Sequence, residues 1–177
     1  MANLNTSTLD VPTKAVSVFN HTLISHNFSH LLGELAVLIE EERDIEHVDV
    51  FDPAFSGWLK DAELAHEAVT SRLLSVLESP IQRDEDRALQ RVAFGLHALM
   101  QSEELGEFTR IYNVLQSFPA AFICAGPSAV ARRVTVMLTS MRQRMDDLAS
   151  LTAYSDEFDI APNPDGLNSG PTALAAA

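Results

Sequence analysis

The chain has 177 residues, 46% of them apolar and 21% charged, which suits one domain with a substantial core and excludes a disordered composition. Its formal net charge of −13 repels phosphate backbones, so nucleic acid is not an expected partner. Cys124 is the only cysteine, which rules out an intrachain disulfide and a cysteine-built zinc site and fits a reducing compartment.

Residues 1–12 read as a polar, flexible leader with no apolar signal core. A first helix is expected over 13–43. On a helical wheel Ile24, Phe28, Leu31, Leu35 and Leu38 share one face, while Val16, Phe19, Leu23 and Val37 form a second apolar stripe on roughly the opposite side. A helix apolar on two sides needs neighbours on both, so it predicts a homodimer through residues 13–43. The acidic stretch from Asp44 to Phe51 is a connection, and Asp52-Pro53 reads as a cap followed by proline at the first helical position.

The second helix carries Phe55, Trp58, Ala62, Ala65, Val69, Leu73, Val76 and Leu77 on one stripe and ends near Ser79-Pro80. A third, starting between Pro80 and Asp84, would bury Ala88, Leu89, Val92, Leu96 and Leu99, with Gly106 as its stop. A short fourth helix turns Phe108, Ile111, Tyr112, Leu115 and Phe118 inward, and residues 120–125 make an irregular crossing. Gly126-Pro127 opens the fifth, whose Val130, Val134, Met137, Leu138, Met141, Met145 and Leu148 recur at three- and four-residue steps. Residues 155–177 lack periodicity and read as a disordered tail. The expectation is an all-α bundle of about five helices over 13–154. No apolar run reaches the roughly 18 residues of a membrane span, so a cytoplasmic protein without membrane contact is expected.

His26, His30 and Glu34 follow one another at four-residue spacing, and the second helix supplies Glu63 and His66 as a Glu-x-x-His pair. Carboxylates and imidazoles in that pattern suit iron, zinc or manganese, which gives one reading, a helical metalloprotein. The plainer reading of His66 is a hydrogen-bonded core histidine. The four-residue arginine steps at Arg83, Arg87 and Arg91, and the arginines of the fifth helix, read as solvated faces. No Ser/His/Asp set and no phosphate-binding glycine loop is present, so no cofactor is required and the chain reads as non-catalytic.

An imidazole projecting from a bundle helix also suits phosphoryl acceptance, which needs an accessible, neutral ring. The stretch from His26 through Asn27, Phe28, Ser29, His30, Leu31 and Leu32 to Ile39 resembles the phosphoacceptor helix of HWE-like sensor histidine kinases. Arg91-Val92-Ala93-Phe94-Gly95-Leu96-His97-Ala98-Leu99 is similar to the second dimerisation helix of that group. The resemblance implies that His26 is the acceptor, that the two helices pair in a dimeric bundle, and that the partner is a receiver domain. No glycine-rich ATP-binding segment follows. The functional expectation is therefore a regulatory or interaction protein, in its sharper form a phosphotransfer or kinase-like signalling adaptor, with the metalloprotein and a purely structural scaffold as alternatives.

Overall fold

The structure, a computed structural model, describes residues 21–154 except His47 and Leu105. The expected leader, the start of the first helix and the tail lie outside the described residues. Those described form α1 (Leu23–Ile45), α2 (Phe55–Glu78), α3 (Asp84–Met100), α4 (Glu107–Gln116) and α5 (Ala129–Ala149). Short 3-10 turns occupy Pro119–Phe122 and Thr152–Tyr154, and no strand is found among these residues.

Within the described residues helix α1 begins at Leu23, where Thr22 caps it. The Thr22 backbone is extended (φ −73°, ψ 160°), and its hydroxyl oxygen accepts from the Ser25 amide at 3.1 Å. From there the apolar residues recur at three- and four-residue steps, and Ile24, Phe28, Leu31, Leu35 and Leu38 are completely buried. Helix α1 lies along α2 for most of its length and also touches α3 and α5. The α1–α2 pair is antiparallel: Asn27 donates to Ser79 at 3.4 Å near one end, and Arg72 grips Glu34 farther along.

The second helix begins at Phe55, two residues beyond the expected position. Asp52 instead closes a turn before it, its carboxylate accepting from the Ala54 amide at 2.8 Å. The expected stripe is otherwise present, with Ala62, Ala65, Val69, Leu73 and Val76 buried and Phe55, Trp58 and Leu77 half-buried. All five residues expected in the α3 core are buried. Gly106 does not stop α3, which ends at Met100; in a left-handed conformation (φ 75°) it turns the chain into α4. Phe108 is buried and Ile111, Tyr112 and Leu115 pack against the core, but Phe118 lies beyond the end of α4 and is 62% exposed. The Ala120–Ala125 crossing is anchored by Phe122, which is buried. Ser128 caps α5 by accepting from the Ala131 amide at 2.9 Å, and the three methionines of α5 enter the core as expected.

The α1–α3 junction is tied by a buried carboxylate. Asp86, 2% exposed, accepts from the amides of Gln82 and Arg83 at 3.0 Å each and from the Thr22 hydroxyl at 2.7 Å. All three donors meet its two side-chain oxygens, so burial of the group is tolerated. One side chain therefore caps α3 and pins the first turn of α1. Gln90 makes a second tie, its amide reaching the carbonyls of Val76, Leu77 and Ser79 at the end of α2.

Two sides of α1 should respond differently to truncation. Leu35→Ala is expected to lower unfolding free energy by about 2–5 kcal/mol, the range for a fully buried leucine. Val37→Ala, on the opposite side, should cost under about 0.5 kcal/mol. Urea unfolding of both variants checks the contrast.

Candidate functional site

The outer face of α1 carries the histidines. His26 and His30 are both exposed, one turn apart, with ring centroids 4.6 Å from each other in an edge-to-face arrangement. Leu23, 49% exposed, precedes them and Val37, 48% exposed, follows. Leu23, His26, His30, Gly33 and Val37 succeed one another at three- and four-residue steps, so they lie on one side of the helix. The described members of the expected second apolar stripe thus share their face with the histidines; Val16 and Phe19 lie outside the described residues.

Gly33 sits in the middle of this face with ordinary helical geometry. A Cβ placed on it would meet nothing within 4 Å. A glycine inside a helix costs about 1 kcal/mol relative to alanine, and nothing within the described chain requires one here. The face is consequently low in its centre, with aliphatic side chains toward either end.

Glu34 is held by a different partner. The Arg72 guanidinium meets its carboxylate through two nitrogens, Nε at 3.0 Å and Nη2 at 2.8 Å from Oε1. Only a quarter of the Glu34 side chain and a third of the Arg72 side chain are exposed. The pair fixes the α1–α2 register, and the hydrogen bond that Arg72 donates to Glu34 raises the Arg72 pKa above its usual value.

Glu63 and His66 are elsewhere. Glu63 is exposed, and His66, half-buried, lines an open cleft with Glu67, Thr70, Ser71, Leu74 and Gln101. The antiparallel register sets His66 beside Glu42, about 24 Å along α1 from His26 at 1.5 Å per residue. The five residues of the metalloprotein reading therefore do not gather around one point. Among the described residues no group of three or more His, Cys, Asp or Glu side chains is arranged to hold a metal ion.

Around His66 lies a second polar cluster that sequence reasoning did not single out. Burial raises the Glu42 carboxyl above the ordinary range, the His66 charge pulling it partly back and Glu46 pushing it up. Burial, with Glu42 nearby, lifts the Tyr154 hydroxyl to about 12. Arg72, Asp86 and Gln90 were equally invisible, because each acts through a residue distant in sequence. An acid at the third position of a helix was the one local cue, for Asp86.

Comparison with known proteins found no family model, no curated protein and no solved structure that matches the chain. Among the described residues no helix is long and apolar enough to cross a membrane.

The Glu42 environment yields a pH-dependent expectation. A carboxyl with its folded pKa above the unfolded value favours folding at acid pH, and that contribution is lost as pH rises through the folded value. Glu42→Gln should therefore be more stable than the wild type at neutral pH. The difference should shrink as pH falls from neutral through the raised folded value and vanish below the ordinary glutamate value of 4.5. Thermal melts of both proteins across that interval check the sign.

Proposed function

We propose that this is a non-catalytic helical interaction protein that presents the outer face of α1 to a protein partner, and that His26 on this face accepts a phosphoryl group from a receiver-type domain. The observation that supports this reading is the exposure of His26 on a helix whose opposite side is locked into the core. A rigid helix holds the imidazole at a fixed height, and an exposed ring can reach an incoming phosphodonor. The chemistry needs nothing further from this chain. An imidazole nitrogen lone pair forms the P–N bond as the P–O bond of an aspartyl phosphate breaks, and the carboxylate departs with the bonding electrons.

The surroundings of His26 favour a macromolecular donor over a small one. Leu23 and Val37 offer aliphatic contacts, and Gly33 leaves room for close approach of another backbone. A second copy of the chain competes for the same face. Laid antiparallel across α1 about His30, it would bring Leu23 of one subunit against Val37 of the other. Such a dimer would cover His26, so a receiver-type partner and an α1-mediated homodimer exclude one another at this face.

Incubation with a phosphorylated receiver domain should yield acid-labile phosphate on the protein, and His26→Ala should abolish it. Absence of transfer, or transfer unchanged by the substitution, rejects the phosphoryl reading. Light scattering at micromolar concentration should give a monomer; a dimer broken by Val37→Glu would assign the face to self-association instead. Gly33→Ala should stabilise the fold by about 0.5–1 kcal/mol in chemical unfolding, while lowering the rate of phosphoryl transfer.

A further inference from the structure

Independently of phosphoryl transfer, the pair His26 and His30 has the geometry of a chelating site, and we infer that it binds one late transition-metal ion, of the Cu(II), Ni(II) or Zn(II) class, per chain. The inference differs from a metal centre built on both α1 and α2. It needs two imidazoles from a single helix and leaves the remaining coordination positions to water or to a ligand from outside.

Three features support it. First, the residues are one helical turn apart, the spacing at which two histidines on one face can bind a single ion. Their ring centroids are already within 4.6 Å. With metal–nitrogen bonds of about 2.0–2.1 Å, rotation about the side-chain bonds is enough to aim one nitrogen of each ring at a common point. Second, both rings are exposed, so neither rotation disturbs the core and an ion can enter directly from solvent. Third, the helix surface beside them is open: Ser29 is exposed, and the space above Gly33 is empty to 4 Å. Water ligands can complete the coordination sphere there.

The donor set selects the metal. Imidazole suits copper, nickel and zinc, whereas magnesium and calcium prefer all-oxygen sites. Glu34, one further turn along, is engaged by Arg72 through two hydrogen bonds and is not a ready third ligand. The order of affinity should therefore follow the intrinsic preference of nitrogen sites, copper tightest and nickel and zinc weaker. An ion bound to the nucleophilic nitrogen of His26 occupies the lone pair that would attack phosphorus, so metal and phosphoryl donor would compete for one atom.

The test is isothermal titration of the full chain, without an oligohistidine tag, with nickel and zinc salts in a buffer that does not coordinate metal. One ion per chain is expected. His26→Ala and His30→Ala should each weaken binding at least tenfold, because either substitution removes the chelate and leaves a single ligand. His97→Ala, on α3, should leave the affinity unchanged. Circular dichroism verifies that each variant keeps its helices, and His30→Gln, which keeps a polar side chain of similar size on the exposed face, gives an independent second variant that should weaken binding to the same extent. Absence of binding, or binding that survives loss of either α1 histidine, overturns the inference. No phosphodonor is present, so the outcome is separate from the fate of the phosphoryl reading.

Discussion

Burial of one side of α1 is the contact on which the other helices depend. Ile24, Phe28, Leu31, Leu35 and Leu38 are wholly removed from water, and each is covered by residues of other helices. Helix α2 runs antiparallel beside it, and α3 and α5 complete the enclosure. Because the inner face is fixed by packing, rotation of α1 about its axis would expose leucines and bury histidines together. The direction in which His26 and His30 point is thus a consequence of the core.

Two polar contacts convert this apolar seam into a defined register. Aliphatic stripes tolerate sliding by a turn, since the leucines recur at nearly equal intervals. The Arg72–Glu34 fork and the Asp86–Thr22 bond do not, because their geometry is met at one alignment only. Both are partly or fully shielded from water. Removing one partner of such a contact is more damaging than a surface ion pair would suggest, since the remaining group stays shielded and unsatisfied.

Much of this architecture was legible from periodicity. The α3 and α5 core positions and most of the α2 stripe follow from three- and four-residue spacing, which measures local geometry directly. Boundaries fared worse. Apolar spacing runs through residues 21–23 without a break, but Thr22 places an extended residue and a side-chain acceptor just before Leu23. Gly106 was rightly marked as a break, yet its positive φ leads into α4 instead of ending α3. The pairing of Glu34 with Arg72 and the meeting of His66 with Glu42 depend on how two helices are aligned, which spacing along one helix does not encode. The same limitation made the histidines of α1 and the Glu-x-x-His pair of α2 look like members of one centre.

The methionines of α5 make its attachment chemically readable. Met141 and Met145 are fully buried and Met137 is nearly so. Thioether oxidation requires an oxidant to reach sulfur, and the product is a polar sulfoxide that the core cannot accommodate. In the closed bundle these sulfurs are shielded, so peroxide would attack them mainly during excursions in which α5 lifts from α1 and α3. Sulfoxide accumulation at these positions would then act as a clock for local opening. Each oxidation event would also hinder reclosure, making damage to this helix self-reinforcing.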